Sequence, residues 1–308
     1  MAKVNMADLK ALRERSGAGL KDCKNALAEA NGDMEAAIDW LRAKGMAKAA
    51  KKSSRIATEG MVHAFITDGA KSGAIVEVNC ETDFVGKTDD FRGFVADMAS
   101  HIGNTNPASV EAMLEGDWSH DGSQTVKEVM NGMVLKTGEN VNVRRFTTLS
   151  GDYVAEYIHA GSRLGVLLSV NVDGDFAGNA DFQSFIEDIT MHIAANSPEF
   201  VSDAEIPAEV IEKETEIQIA RAVEEGKPQN IAEKMVVGRI NKWKKEISLL
   251  DQIFDEDNKT TVAKEIVNRG KEFGGTITVN AFVVYKLGEG MEKKVDNFAD
   301  EVAAMAQK

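Results

Sequence analysis

The chain has few of the residues on which catalytic and metal sites are commonly built. Its 308 residues include two cysteines, Cys23 and Cys80, and five histidines. The cysteines are too few for a disulfide framework and fit a reducing compartment. The histidines lack the spacing of a metal site, and no serine, histidine and aspartate set or cysteine and histidine pair is recognisable. We therefore expect neither an enzyme nor a bound metal or other cofactor.

Two glycine-containing segments resemble nucleotide-binding motifs, but each lacks a residue that the motif requires. The segment that ends in Gly86–Thr88 has Glu81 where a P-loop has its first glycine. In Gly17–Gly19, Asp22 stands where a dinucleotide-binding fingerprint has its third glycine, and no strand precedes the segment. Neither segment therefore predicts a nucleotide site.

Long apolar runs are also absent. No run approaches the roughly 18 apolar residues of a membrane span. The N-terminal segment, MAKVNMADLKALRER, lacks the apolar stretch of a secretory signal and is too acidic for a typical organelle presequence. These features predict a cytoplasmic protein without a membrane partner, and its length allows about two domains.

Charge is distributed unevenly along the chain. Residues 1–55 carry a net charge of +5 and the remainder −19, which together give −14. Binding to nucleic acid depends on clustered cations, so the acidic body argues against direct contact with nucleic acid. The basic N-terminal piece is either a solvated helical face with a charged linker or a surface that meets an acidic protein.

What the chain does contain is an internal repeat at a spacing of about 92 residues, between Gly73–Pro107 and Gly165–Pro198. Each copy predicts two alternating strands, a connecting loop, a helix, a further helix and a third strand. The fold class is therefore α+β, with two repeated subdomains that each have a three-stranded antiparallel sheet covered by helices on one face. His101 and His192 occupy equivalent positions, which favours a structural role for both. The strands are expected at Met61–Ile66, Ala74–Asn79, Val141–Leu149, Tyr153–Ile158, Gly165–Asn171 and Thr276–Leu287.

The first 55 residues predict three short helices in a module of the ubiquitin-associated type. The helices are expected at Ala7–Arg15, Cys23–Ala30 and Met34–Lys44, and Asp22 is expected to cap the second. The basic segment Gly45–Arg55 has little to bury and is either a tether or an extension of the third helix.

Residues 56–150 and 151–287 are expected to form two core subdomains, one for each repeat. The second carries an insertion over residues 205–250, a helical hairpin or coiled coil that breaks at Gly226–Pro228 and offers a surface for self-association. Residues 288–308 predict an amphipathic helix over Met291–Met305. The apolar seam of the hairpin is expected at Val210, Ile217, Ala220, Ile231, Met235, Trp243 and Ile247.

The tetrapeptide Thr82–Val85 follows the second strand of the first repeat directly. If the phenylalanine and valine side chains stay in water, roughly 1.5–3 kcal/mol of burial free energy is forgone for each. One interpretation is that Phe84 folds back under its own helix, as we expect of the equivalent Phe176. The other is that Phe84 projects as an anchor into a partner's pocket, with Asp83 making a directional polar contact.

Six segments, in order along the whole chain, have a more specific pattern. They are ALRERSGAGLKDCKNAL (Ala11–Leu27), EVNCETDFVGK (Glu77–Lys87), GENVNVRR (Gly138–Arg145), HAGSRLGVL (His159–Leu167), GKPQNIAEKMVVGR (Gly226–Arg239) and GEGMEKKVDNFADEVAAM (Gly288–Met305). Together they resemble the bacterial elongation factor Ts family. The resemblance implies a guanine nucleotide exchange factor for elongation factor Tu, the GTPase that carries aminoacyl-tRNA to the ribosome. Such a factor binds Tu with GDP, promotes GDP release and is displaced when GTP binds.

The resemblance also implies which residues contact Tu. The intrusion near the Mg²⁺ site of Tu would come from Thr82, Asp83, Phe84 and Val85. Further contacts would come from Arg13, Leu20 and Lys24 of the N-terminal module, from Thr137 and Gly138, from His159 and from the helix that starts at Met291. The competing interpretation is an adaptor, in which the three-helix module and the hairpin bind partners without any exchange activity.

Overall fold

The computed structural model describes residues 4–254 and 260–291 of the chain. Within these ranges it is an α+β fold with two three-stranded antiparallel sheets, as the repeat predicts. The helix predicted over Met291–Met305 lies, apart from Met291, outside the described residues. No helix in the described part combines the length and the apolar character needed to cross a bilayer.

Three helices at the N-terminus share a small core with the first repeat. They are α1 (Met6–Ser16), α2 (Leu20–Glu29) and α3 (Met34–Lys52). Their buried side chains include Leu9 and Leu12 of α1, Leu27 of α2 and Leu41 of α3, and Leu135 of the first repeat completes the cluster. The three helices are therefore packed against the rest of the chain.

The basic segment after residue 44 is an extension of the third helix, because α3 continues to Lys52. Gly45 lies so close to the first repeat that a Cβ there would sit 3.1 Å from the carbonyl oxygen of Asn131. Glycine permits this approach. The interpretation of the segment as a tether is wrong.

Asp22 does not cap α2, contrary to the prediction. The N-cap position is Gly19, and Asp22 lies inside the first turn, where its carboxylate contacts Lys44 at 2.7 Å and Lys48 at 2.8 Å. Burial alone would raise the pKa of Asp22, but the hydrogen bonds from the two lysines lower it below its ordinary value. Because these lysines are remote in the sequence, a local capping argument could not include them.

The first repeat forms a sheet whose strands lie in chain order, β1 (Glu59–Ile66), β2 (Ser72–Cys80) and β3 (Asn142–Ser150). The helices between β2 and β3 are α4 (Asp83–Gly86), α5 (Asp89–Thr105), α6 (Val110–Glu115) and α7 (Val126–Thr137). Phe91, Phe94 and Met98, on one side of α5, join the core that covers one face of this sheet. Their helical spacing is the pattern from which α5 is predicted.

The second repeat forms the sheet β4 (Tyr153–Ile158), β5 (Leu164–Asp173) and β6 (Thr276–Lys286). Its helices are α8 (Ala180–Asn196), α9 (Ala208–Glu224), α10 (Gln229–Ile247) and α11 (Val262–Phe273). Phe182 and Phe185 of α8 join its core. The equivalent histidines His101 and His192 are 2% and 4% exposed. Their burial agrees with the structural role that their equivalent positions favour.

The second face of each sheet packs against the other sheet. Val62 and Ile75 of the first sheet join Val154, Leu167 and Tyr285 of the second in one buried cluster. The sequence predicts helices on one face and leaves the other face unassigned. In β2 every residue from Gly73 to Cys80 is buried, which is the burial of a strand covered on both faces and differs from the alternation that the sequence predicts.

The inserted hairpin, α9 with α10, closes on a different apolar seam from the predicted one. The buried residues are Ala222, Ala232, Val236, Ile240 and Ile247, so of the predicted seam only Ile247 is buried. Ala222 of α9 and Ala232 of α10 are buried near the tip of the hairpin. Their small side chains allow the two helices to approach closely. Ile217, Ile231 and Met235 remain 38%, 46% and 39% exposed. Self-association through this hairpin stays a prediction.

A buried carboxylate joins the first sheet to the chain that follows β6. Glu77 is 0% exposed and accepts hydrogen bonds from Arg144 at 3.0 Å, Arg145 at 2.7 Å and the backbone N–H of Gly288 at 2.8 Å. Burial alone would raise the pKa of Glu77, but the hydrogen bonds from Gly288, Arg145 and Arg144 outweigh it and hold this pKa below its ordinary value. The ionised carboxylate therefore fixes the position at which the chain leaves the second sheet.

We expect Glu77→Gln to lower the free energy of unfolding by about 2 kcal/mol near pH 7, because two arginines lose their buried acceptor charge. A pKa lowered by folding gives stabilisation that is present above the unfolded-state value, about 4.3 for glutamate, and is lost as the pH falls through the folded-state value. The deficit of Glu77→Gln should therefore shrink below about pH 4.

Urea unfolding between pH 7 and the lowest pH at which the protein stays folded measures this effect. Glu289→Gln is the matched control, because the Glu289 carboxylate is half exposed and lies 3.4 Å from the same Arg145 guanidinium. We expect that control to change the free energy of unfolding by less than about 0.5 kcal/mol. If the loss of unfolding free energy in Glu77→Gln stays constant across the pH range, an ionised Glu77 carboxylate bound by Arg144 and Arg145 is contradicted.

Candidate functional site

The segment Thr82–Val85 begins a helical turn, α4, where the sequence predicts a loop. Thr82 is the N-cap residue, and its hydroxyl oxygen accepts a hydrogen bond from the N–H of Val85 at 3.4 Å. The side chain of Phe84 is 81% exposed, whereas Val85 packs against the core of the first repeat. The interpretation in which Phe84 folds under its own helix is therefore wrong.

The equivalent phenylalanine of the second repeat points inward. Phe176 is 5% exposed, with its ring centroid 5.3 Å from that of Phe182 and 5.6 Å from that of Phe273. The residue before the Asp-Phe pair differs between the copies, Thr82 in the first and Gly174 in the second. Gly174 has a φ of +144°, and a Cβ there would lie 2.5 Å from the Phe176 ring. Glycine at this position thus permits the inward turn, and threonine starts a helix instead.

A carboxylate from another part of the chain holds this helical turn. Glu139 accepts hydrogen bonds from the Thr82 hydroxyl at 2.6 Å and from the backbone N–H groups of Glu81 and Thr82, both at 3.0 Å. In return, the Glu81 carboxylate accepts the N–H of Asn140 at 2.7 Å. Residues 81–82 and 139–140 are therefore joined by reciprocal hydrogen bonds.

Gly138 ends α7 in the left-handed conformation, with a φ of +75° that favours glycine. Its carbonyl oxygen accepts a hydrogen bond from Lys52, the last residue of α3. The Thr137 hydroxyl donates to the carbonyl of Met133 at 2.9 Å and accepts the N–H of Glu139 at 3.2 Å. The structure thus brings the Thr137–Gly138 turn, the end of α3 and the Phe84 turn into one place.

Asp83 is already engaged within its own helical turn. Its carboxylate contacts the Lys87 ammonium at 2.5 Å, and both side chains are substantially exposed. The hydrogen bond from Lys87 lowers the pKa of Asp83 below its ordinary value. A partner that uses Asp83 as an acceptor must therefore share it with Lys87 or displace that side chain.

A groove runs beside the Phe84 turn toward the second repeat. Its lining includes Glu81–Phe84, Gly86 and Lys87 of the first repeat and Gly161–Arg163 of the second. Glu59 and Arg163, both in the lining, form an ion pair at 2.8 Å. The exposed His159 immediately precedes the short 3₁₀ turn at this edge. The Nδ1 atom of His159 lies 2.9 Å from the Tyr157 hydroxyl.

The remaining predicted contacts lie on the three-helix module. Arg13, Leu20 and Lys24 are all exposed, and Leu20, at the start of α2, is 56% exposed. None of them forms an ion pair with the described residues. Their contact with a partner stays a prediction.

Sequence reasoning singled out the Phe84 turn and Gly138 but missed Glu139. No local pattern connects Glu139 to Thr82, because 57 positions separate them. The available signal was the glutamate directly after the Gly138 helix end, in a segment that the repeat places beside the end of β2.

Comparison with known proteins gives a consistent family assignment. The family model described as elongation factor TS matches residues 81–289. The chain is 44% identical over 306 residues to elongation factor Ts of Trichlorobacter lovleyi, covering 98% of each chain. It is 46% identical to that of Clostridium perfringens, covering 97% of this chain and 98% of the relative, and 43% identical to that of Halothermothrix orenii, covering 97% of each. On this evidence the chain belongs to the elongation factor Ts family and has a role in translation elongation.

Proposed function

We propose that the protein is a guanine nucleotide exchange factor for elongation factor Tu that binds Tu with GDP and accelerates GDP release. The observation that carries the proposal is the 81% exposure of Phe84 on a turn that is fixed by a cap and by Glu139. A large aromatic side chain held in water at a cost of about 1.5–3 kcal/mol is typical of an anchor for a partner's pocket. The family assignment supports Tu as that partner.

Exchange requires the factor to bind nucleotide-free Tu better than Tu with GDP. The coupling is reciprocal. If the protein lowers the affinity of Tu for GDP by a given ratio, GDP lowers the affinity of Tu for the protein by the same ratio. Each tenfold step needs about 1.4 kcal/mol of differential contact. Burial of the Phe84 ring supplies one or two such steps, so several contacts must act together.

Those contacts come from three separate places on the protein. Phe84, flanked by Asp83 and Val85, enters near the Mg²⁺ site of Tu, and Val85 also packs against the core of the first repeat. The module with Arg13, Leu20 and Lys24 docks on the same domain of Tu. His159, across the groove, holds a different domain. In this arrangement the outer contacts fix the position of Tu while Phe84 disturbs the nucleotide site.

Tu loaded with a fluorescent GDP analogue tests the proposal against the adaptor alternative. Adding the chain in substoichiometric amount, with excess unlabelled nucleotide, should accelerate release, because an exchange factor dissociates and acts again. Spontaneous release from Tu alone is the baseline. An adaptor would bind Tu or other proteins and leave this rate unchanged.

A further inference from the structure

We propose that Glu139 is a positioning residue that keeps the Phe84 turn in its outward conformation before any partner binds. The proposal rests on the exchange function proposed above and adds a residue outside the tetrapeptide to it. Glu139 does not need to touch the partner. It acts through the backbone and the hydroxyl group of the residues that precede Phe84.

The geometry is that of a carboxylate with three donors. Oε1 of Glu139 accepts from the Thr82 hydroxyl at 2.6 Å, and Oε2 accepts the N–H groups of Glu81 and Thr82 at 3.0 Å each. Charge-assisted hydrogen bonds of this kind are stronger than neutral ones. The donors are the cap residue of α4 and its neighbour, so the carboxylate fixes the point at which the turn starts.

The turn needs such support because it is short. Helix α4 has four residues, Asp83–Gly86, and one isolated helical turn is unfavourable without tertiary contacts. Its exposed ring also favours collapse onto the sheet. Val85 packs against the core, and the Cys80 thiol donates a hydrogen bond to the carbonyl of Thr82 at 3.1 Å. The reciprocal bonds between residues 81–82 and 139–140 add the contacts that involve a charged acceptor.

The second repeat supplies an internal comparison. Strand pairing sets Asn142 opposite Asn79 and Thr278 opposite Asn171, and position 139 therefore corresponds to position 275. There the chain has Gly275, and a Cβ on it would lie 1.8 Å from the carbonyl oxygen of Asp173. The first repeat thus has threonine and glutamate where the second has two glycines. The repeat with threonine and glutamate has the outward phenylalanine, and the repeat with two glycines has the inward one.

We expect Glu139→Ala to lower the maximal rate of stimulated GDP release about tenfold, with a much smaller change in the concentration of protein that gives half the effect. The reason is that the outer contacts to Tu remain while the outward turn is less populated. Glu139→Gln should stay within about threefold of the unchanged protein. Its amide oxygen can accept both backbone N–H groups, and its NH₂ group can donate to the Thr82 hydroxyl.

Glu128→Ala is the matched control. Glu128 also accepts a backbone N–H, that of Thr125 at 2.8 Å, and lies 3.3 Å from the Thr125 hydroxyl, at the start of α7 and away from Phe84. It should lose stability without losing stimulated release. If Glu139→Ala does not fold, Thr82→Val should give a severalfold loss of maximal rate. It replaces the hydroxyl group by a methyl group and so removes the hydroxyl's bond to Glu139 together with its cap on Val85.

Amide hydrogen exchange in the protein alone provides a readout that does not depend on Tu. By NMR, the amides of Glu81 and Thr82 should exchange about tenfold faster or more in Glu139→Ala than in the unchanged protein or in Glu128→Ala. Unchanged protection of these amides, or unchanged stimulation by Glu139→Ala where Phe84→Ala is slow, overturns the positioning role. Unchanged stimulation by Phe84→Ala would instead overturn the proposed exchange mechanism and leave the amide result to decide on Glu139.

Discussion

Replacing Phe84 with alanine is expected to slow stimulated GDP release from Tu at least about tenfold, because burial of this ring in the partner supplies roughly 1.5–3 kcal/mol and each tenfold step needs about 1.4 kcal/mol. The fold should not change. The side chain is 81% exposed, so its truncation removes no buried contact within the protein. Stopped-flow fluorescence with labelled GDP on Tu measures the rate.

Two controls separate the loss of the ring from general damage. The thermal unfolding temperature of Phe84→Ala should equal or slightly exceed that of the unchanged protein, since an exposed apolar side chain contributes little to the folded state. Phe84→Leu keeps an apolar side chain and should retain part of the stimulation. Wild-type-like release with Phe84→Ala would refute the proposed mechanism.

Phe176→Ala should give the opposite pattern, a loss of stability without a specific loss of exchange. Truncating a buried phenylalanine typically lowers the free energy of unfolding by about 3–5 kcal/mol, because apolar contacts are lost and a cavity remains. Phe176 is 5% exposed and contacts the rings of Phe182 and Phe273. Chemical denaturation followed by circular dichroism measures the change.

The two alanine variants form a matched pair, since they remove the same side chain from equivalent positions of one repeat. At a temperature where Phe176→Ala is fully folded, its stimulated release should stay within about twofold of the unchanged protein. A large loss of release in that variant, with its stability intact, would mean that the second repeat also has a functional loop.

Much of the fold could be predicted because its signals are local. The alternating strands, the helical spacing of Phe91 and Phe94 and the 92-residue repeat predict two three-stranded sheets with helices. The sheet-on-sheet contact was harder, since it depends on distant residues such as Leu167 and Tyr285. The error at Asp22 has the same cause, because the lysines that engage its carboxylate lie on another helix.

The candidate site was only partly accessible from the sequence. The difference between the two repeats indicated the tetrapeptide, but composition could not decide whether Phe84 points inward or outward. That direction depends on Thr82 and on Glu139, which is remote in the sequence. The hairpin shows the same limit, since helical spacing alone allowed more than one apolar seam and the buried one uses alanines.

The continuous helix α3 sets how a partner can be engaged. Its middle lies against α7 at Gly45, and its last residue, Lys52, bonds to the carbonyl of Gly138. A flexible tether would let the first three helices search a volume for their contact after Phe84 had docked. A packed helix instead presents both surfaces at one fixed separation. A partner that contacts both the three-helix module and the Phe84 turn must therefore have its two contact surfaces at that same separation when it first binds.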